Sequence, residues 1–158
     1  MDIQIFGNYE QMSDHAANIV LDELEKKRTL KICAATGNSP TKIYGLLAQA
    51  YQNRPEIFKD LHILKLDEWG GLSADHPGSC EHYLRQHLLE PLNIPSKRYT
   101  GFTPNPKNSE DECERVQHAI ESGEPIYLCI LGLGRNGHIG FNEPADKLQP
   151  FCHVAQLS

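Results

Sequence analysis

The stretch Pro125–Leu133, PIYLCILGL, is the most apolar part of the chain, and the polar loop Gly134–Pro144, GRNGHIGFNEP, follows it directly. An uninterrupted apolar run of this kind predicts a strand at the centre of a parallel sheet, covered on both faces. Ligands of open parallel sheets bind beyond the carboxyl ends of the strands. The loop after this strand is therefore the first place to look for functional residues.

Extended and helical patterns alternate along the rest of the chain. They predict strands at Asp2–Phe6, Thr29–Thr36 and Leu61–Leu66, and a further strand that begins in HVAQLS, residues 153–158. Predicted helices lie between them, with expected boundary residues Ser39 and Pro40, Ser79, the capping box Ser109–Glu112, and Gly123. The third of these helices is expected from about Cys80 to Glu90. The alternation predicts one α/β domain over residues 1–158: a Rossmann-like three-layer fold with a mostly parallel sheet and helices on both faces.

Composition excludes several classes of function. The 158 residues are 39% hydrophobic and carry a formal net charge of −6, so no basic surface is expected for nucleic acid. No apolar run is long enough to cross a membrane, and the first ten residues do not resemble a signal peptide, which predicts a cytoplasmic protein. The five cysteines are scattered and predict neither disulfides nor a metal site; Cys33 and Cys129 are expected to act as small hydrophobic residues in strands.

The loop 131–144 allows two interpretations. Its glycines have the order G-x-G-x-x-G, which is typical of dinucleotide-binding loops. That fingerprint also needs a helix to begin within the loop, and the residues up to Pro144 contain no helical pattern. The alternative is an acid–base site built on His138, with Asn136 and Glu143 beside it and Gly137 bringing the backbone near a ligand. We favour the acid–base site.

The ends of two other predicted strands carry polar residues that can join the same site. Asp67 and Glu68 follow Leu61–Leu66, and a carboxylate in a partly dry cleft can remove a proton from carbon next to a carbonyl. Glu68 is expected beside the substrate, as a solvent-side or structural partner, and Trp69 is expected to wall the pocket. After Thr29–Thr36, the N-terminus of a helix is suited to bind a phosphate through Thr36, Gly37, Asn38 and Ser39. Right-handed crossovers would bring all three loops to one edge of the sheet.

Three segments together resemble the glucosamine-6-phosphate deaminase family, which includes galactosamine-6-phosphate deaminase/isomerases and has 6-phosphogluconolactonases as relatives. They are ATGNSPTKIY, LDEWGGL with HPGSCEHYL, and LGLGRNGHIGFNEPA, in family order over most of residues 30–145. The string GHIGFNEP is specific to the deaminases. The resemblance implies conversion of glucosamine or galactosamine 6-phosphate to the ketose 6-phosphate with release of ammonia.

The resemblance also implies roles for single residues. Asp67 would move the proton between C2 and C1 of the sugar, and His138 would open the pyranose ring. Asn136 and Glu143 would orient His138, with more dependence on Glu143 because other members carry Asp at the position of Asn136. No metal and no organic cofactor is expected, and the expected partner is a small sugar phosphate.

One departure from the family pattern concerns length. Family members continue with further βα units that add basic phosphate-binding residues, whereas this sequence stops at Ser158. We therefore expect either a fragment or a C-terminally truncated copy of the family fold, with weak or no activity. An exposed sheet edge would favour association, as a homo-oligomer, or instability. A 6-phosphogluconolactonase-like hydrolase and a non-catalytic sugar-phosphate-binding remnant stay open as alternatives.

Overall fold

The structure, a computed structural model, describes residues 2–27, 29–147 and 149–157. Helices and strands alternate through them. Their bounds are α1 Tyr9–Lys26, β1 Lys31–Ala34, α2 Asn38–Asn53, β2 His62–Lys65, α3 Cys80–Leu84, β3 Tyr99–Thr100, α4 Ser109–Glu121 and β4 Leu128–Ile130. Short 3-10 or π turns occupy Pro55–Phe58, Arg85–Leu89 and Ser96–Arg98.

The strands form one parallel sheet in the order β3-β2-β1-β4. The prediction of a parallel sheet is thus confirmed, but the prediction that the most apolar strand lies at the centre is wrong. β1 is flanked on both sides, whereas β4 pairs only with β1 among the described residues. The outer side of β4 instead borders an apolar groove of about 360 Å³ that α1 and α2 help to line. β4 is only partly buried: Leu128 and Ile130 are half-buried and Cys129 is exposed, so an apolar run does not by itself place a strand at the centre.

Alternate residues of the strands face two separate hydrophobic layers. Ile32, Ala34 and Ile63 pack into the larger core with residues of α1, α2 and α3. Cys33 and Leu64 point the other way and pack against Val116 of α4. Helices therefore cover both faces, and the predicted three-layer arrangement is confirmed. The expectation for the two cysteines is half right, because Cys33 is buried and Cys129 is exposed.

The helix boundaries confirm one prediction and correct four. Ser79 caps α3 as predicted, accepting a hydrogen bond from the N–H of His82 at 3.0 Å. Asn108, not Ser109, caps α4 through its side-chain oxygen, and the helix ends at Glu121 with Ser122 as its C-cap, before Gly123. Gly37, not Ser39, precedes α2, where its φ of +105° makes the turn from β1 into the helix. The helix predicted from Cys80 to Glu90 changes to a π turn after Leu84.

Two predicted strands are absent. Residues 2–6 form no strand, and Ile3 and Ile5 are 70% and 93% exposed, because no neighbouring strand lies beside them to complete a ladder. Residues 153–157 also form no strand, and Ser158 lies outside the described residues. The strand predicted at Thr29–Thr36 is shorter than expected, Lys31–Ala34. In the part of the chain that the structure describes, no helix has the length and apolar character needed to cross a membrane.

Candidate active site

A cavity of about 250 Å³ lies at the carboxyl ends of β1, β2 and β4. The three loops that the topology directs to this edge all contribute to its wall. The predicted site residues that line it are Thr36, Gly37, Asn38, Ser39, Asp67 and His138. The others, Glu68, Asn136, Gly137 and Glu143, do not line it. The predicted base and the predicted imidazole thus share one cavity.

Asp67 lies two residues after Lys65, the last residue of β2, and its side chain borders the cavity. Burial raises the pKa of this carboxyl above its usual 3.8, partly offset by a hydrogen bond from the thiol of Cys80 and one from the main chain of Phe141. The Cys80 Sγ lies 3.7 Å from Asp67 Oδ1. A carboxylate with a raised pKa holds a proton more readily, which is what a general base at carbon requires.

The imidazole of His138 is oriented by a chain of two hydrogen bonds. Its Nδ1 lies 2.6 Å from Oδ1 of Asn136, and the Nδ2 of Asn136 donates to Oε2 of Glu143 at 2.6 Å. Because the amide nitrogen is used by the carboxylate, the amide oxygen faces the ring, and Nδ1 must carry the hydrogen. In the neutral ring, Nε2 is then free to accept a proton. Glu143 contacts the amide of Asn136, and through it acts on His138.

The glycines of the 131–144 loop have roles other than binding a dinucleotide. A Cβ on Gly134 would lie 2.1 Å from Cε1 of His138, so the imidazole rests flat on the bare backbone there. Gly137 has a φ of +92°, which permits the turn that carries His138 back to Gly134. Residues 131–147, all described, form turns and two isolated bridges instead of a helix, as the sequence predicted.

The loop that precedes α2 offers main-chain donors to the cavity and is held from behind by tyrosines. Tyr83 donates to the carbonyl of Gly37 at 2.8 Å, and Tyr9 donates to the carbonyl of Asn38 at 2.6 Å. The carbonyls therefore point away, toward the tyrosines. Among the described residues that line the cavity, none is Lys or Arg. Any anion here would rely on N–H groups and hydroxyls at the start of α2.

Glu68 points away from the cavity, into the protein. Its side chain is 3% exposed, and Oε2 lies 2.6 Å from the ammonium of the fully buried Lys65. Oε1 accepts N–H bonds from Trp69 and Cys80, each at 2.8 Å. Oε2 also accepts the N–H of Glu81, at 2.8 Å. Each carboxylate oxygen of Glu68 thus accepts two hydrogen bonds from groups inside the protein. The geometry therefore favours a structural role for Glu68 over contact with the substrate.

The residues around Glu68 were missed by the sequence interpretation. Glu81 binds Lys65 at 2.9 Å and accepts a hydrogen bond from Tyr99 at 2.5 Å, which extends a buried network behind the cavity. The available signal was Lys65 itself, a charged residue inside the apolar run LHILKL. A lysine in a buried strand requires buried carboxylates as partners.

Trp69 packs on Phe141 with ring centroids 4.2 Å apart. Phe141 lines the cavity and Trp69 does not, so Trp69 supports the wall from outside. This contact joins the loop after β2 to the loop after β4. It brings the segment that carries Asp67 and the segment that carries His138 into one surface.

Known proteins share this arrangement of elements and motifs. A family model described as glucosamine-6-phosphate isomerases/6-phosphogluconolactonase matches residues 8–141. AgaI of Escherichia coli (strain K12), named as a deaminase, is 39% identical over 98% of this chain and 61% of its own length. The glucosamine-6-phosphate deaminase of Geobacillus sp. (strain WCH70) is 37% identical over 96% of this chain and 61% of its own.

A solved structure of a monomeric glucosamine-6-phosphate deaminase has a TM-score of 0.87 to this chain at 32% identity. That match covers 93% of this chain and 61% of the solved one. The chain thus spans about three fifths of the length of these relatives. With the family model matched from residue 8 to residue 141, the chain belongs to the glucosamine-6-phosphate isomerase/6-phosphogluconolactonase family.

Proposed function

We propose that this protein acts on a hexosamine 6-phosphate, glucosamine or galactosamine 6-phosphate, as a deaminase and ketol-isomerase. The observation that carries the proposal is the shared cavity of Asp67 and His138. The imidazole of His138 is suited to proton transfer at oxygen, and the carboxyl of Asp67 is suited to proton transfer at carbon. The names of the relatives that cover nearly all of this chain support the same substrate class.

In the proposed reaction, His138 opens the ring first. Nε2, which the bond from Nδ1 to Asn136 leaves without a hydrogen, takes the proton of the C1 hydroxyl as the C1–O5 bond breaks. The imidazolium then returns the proton to O5. The product of this step is the open-chain amino aldehyde.

Asp67 then removes the C2 hydrogen, and the electron pair forms a C1–C2 double bond while O1 takes a proton from water. Return of the proton at C1 gives the imine at C2, to which water adds; the C2–N bond then breaks and ammonia leaves. Enolisation needs one base that reaches both C1 and C2. The raised pKa of Asp67 helps this carboxyl to hold the proton between its removal from C2 and its return at C1. All steps use only acid–base groups of this chain and water.

The phosphate of the substrate is proposed to bind at Thr36, Gly37, Asn38 and Ser39, with Gly137 allowing close approach of the opposite loop. Because this part of the cavity wall holds no Lys or Arg, we expect weak binding by the 158-residue chain, and so a low rate at low substrate concentration. Assays therefore need millimolar sugar phosphate. A charged phosphate ester stays within the compartment where it is made, so we also propose a cytoplasmic setting.

The test is isotope incorporation in deuterated water. The protein is incubated with each hexosamine 6-phosphate, and deuterium at C1 of the ketose product is measured by NMR together with ammonia release. We expect label with the wild-type chain and none above background with Asp67→Asn. The matched control is Asp75→Asn, an exposed aspartate in the loop before α3, which should behave as wild type. Equal label in wild type and Asp67→Asn would overturn the proposal.

The same samples separate the alternatives. Hydrolysis of 6-phosphogluconolactone without label in the ketose would identify a lactonase. Sugar-phosphate binding without ammonia release, unchanged by Asp67→Asn, would identify a binding remnant. We also infer that copies of this chain associate through the edge of β4 that pairs with no strand in the described residues, and sedimentation velocity measures that association.

A further inference from the structure

Cys80 stands at the start of α3, directly behind the Asp67 carboxyl. Its Sγ lies 3.7 Å from Asp67 Oδ1 and 3.6 Å from Thr36 Oγ1, and the residue is 3% exposed. The thiol thus fills the space between the ends of β1 and β2. Burial raises its pKa to about 12, so at neutral pH the sulfur keeps its hydrogen and can donate it.

The place of this thiol is fixed by its main chain. Glu68 accepts the N–H of Cys80 on Oε1 and the N–H of Glu81 on Oε2, each at 2.8 Å. Lys65 holds the same carboxylate at 2.6 Å. The first turn of α3 is therefore tied to the residue next to Asp67, and the thiol has little freedom to move relative to the carboxyl.

The two oxygens of Asp67 have different surroundings. Oδ1 faces the Cys80 thiol. Oδ2 lies on the side of Gly140, where an added Cβ would come within 2.8 Å of it, and Gly140 lines the cavity. A carboxyl that turned about its last bond would exchange these positions. The carboxyl has two donors, the thiol of Cys80 and the main chain of Phe141, and the thiol is the one that faces Oδ1. A donor held at Oδ1 favours the orientation in which Oδ2 lies on the cavity side.

We propose that Cys80 is a positioning residue for Asp67: its S–H binds Oδ1 and leaves Oδ2 to face the sugar. The inference rests on the proposed function for the role of Asp67. Cys80 touches no substrate in this scheme. It keeps the reacting oxygen on the cavity side and favours the ionised form of the base before substrate arrives.

The decisive measurement is a titration of the Asp67 carboxyl by ¹³C NMR, with the signal assigned by its loss in Asp67→Asn. The chain is compared with Cys80→Ala, which removes the donor, and Cys80→Ser, which keeps a hydroxyl donor on a smaller side chain. The matched control is Cys33→Ala, a second cysteine that is also 3% exposed and creates a comparable cavity. Other ionisable groups around Asp67 stay in place in Cys80→Ala and Cys80→Ser: Lys65, Glu68, Cys33, Tyr44 and His138.

We expect the Asp67 midpoint to rise by about 0.4 to 1 pH unit in Cys80→Ala, to fall at least halfway back in Cys80→Ser, and to stay unchanged in Cys33→Ala. In the deuterium assay, Cys80→Ala should lower kcat with little change in KM. An unchanged midpoint in Cys80→Ala, or an equal rise in Cys33→Ala, would show that the thiol only fills space. If the wild-type chain forms no labelled product, the proposed function fails, while the titration still decides whether the thiol bonds to Asp67.

Discussion

The two sides of the candidate site are built in different ways. Asp67 follows a buried strand and is backed by a charged network in which the side chain of Lys65 is fully buried. His138 lies in the loop 131–147, whose hydrogen bonds run mostly between its own residues. Only a few contacts join the two sides, among them the packing of Trp69 on Phe141.

This difference matches the chemistry proposed for each side. A base that acts at carbon needs a desolvated carboxyl held at a fixed position, and a buried strand end supplies both. A group that exchanges protons with a sugar hydroxyl needs contact with water between turnovers, and a half-exposed loop supplies that. The comparison predicts that changes behind Asp67 cost stability, whereas changes around His138 cost activity alone.

The largest expected effect concerns the residues behind Asp67, where changes should lower stability. Lys65→Met leaves the buried Glu68 without its cation, while Glu81 keeps its ion pair with Arg85. Removal of one partner from a buried charge cluster lowers the free energy of unfolding by about 3–5 kcal/mol. Chemical denaturation measures it. Lys107→Met, at an exposed position, is the matched control and should change stability by less than about 0.5 kcal/mol. A loss below about 1 kcal/mol for Lys65→Met would mean that the network does not stabilise the Asp67 side.

The second prediction concerns the His138 side. Gly134→Ala puts a methyl group where the imidazole lies, so the ring must leave its bond to Asn136. We expect about a 10²-fold loss in the rate of label incorporation, the loss typical of a displaced acid–base group, with a small change in melting temperature. Gly70→Ala is the control, because nothing lies within 4 Å of its added Cβ. Loss of folding in Gly134→Ala would contradict the view that this loop is separate from the stable scaffold.

A third test uses Asp67→Asn to separate function from stability. Burial raises the pKa of Asp67 in the folded chain above the value of 3.8 that applies to the unfolded chain. At pH values between the unfolded-state pKa and the folded-state pKa, the folded chain therefore binds more protons than the unfolded chain. Stability contributed by this group therefore falls as pH rises through that window and stays lower above it. We expect Asp67→Asn to melt at a higher temperature than wild type at pH 7 and to lose this advantage below pH 3.8. A lower melting temperature at pH 7 would show that Asp67 is paired rather than desolvated.

The sequence was sufficient for the features that follow from local pattern and strand direction. The parallel sheet and the meeting of three loops at one edge follow from periodicity and right-handed crossovers. The cap at Ser79 follows from its residue type and its place before a helical pattern. The position of β4 could not be predicted in this way, because an apolar run does not specify which neighbours bury it. Asp2–Phe6 alternates like a strand, yet a strand forms only where another strand completes its hydrogen bonds.

The candidate site divides in the same manner. Asp67, His138 and Asn136 could be found because they follow strands or lie close together in the sequence. Glu68 shows the limit: its neighbour Asp67 lines the cavity, but the chain leaves the strand after Lys65, and the side chain of Glu68 turns back to that lysine. Cys80 is thirteen residues from Asp67, and only the fold brings the two together.

The smallest expected effect tests how Glu143 acts. In Glu143→Gln the side chain can still accept the bond from Asn136 Nδ2 but has no charge, so the amide and the ring keep their orientation. Replacing a charged acceptor by a neutral one weakens a hydrogen bond by about 1 kcal/mol, and we expect a loss of about fivefold in the rate of label incorporation. Asn136→Ala removes the link itself and should cost more than Glu143→Gln. A larger loss in Glu143→Gln than in Asn136→Ala would mean that Glu143 acts directly on the sugar or on His138. The charge of the Glu143 carboxylate would then matter more than the tautomer of His138 that Asn136 sets.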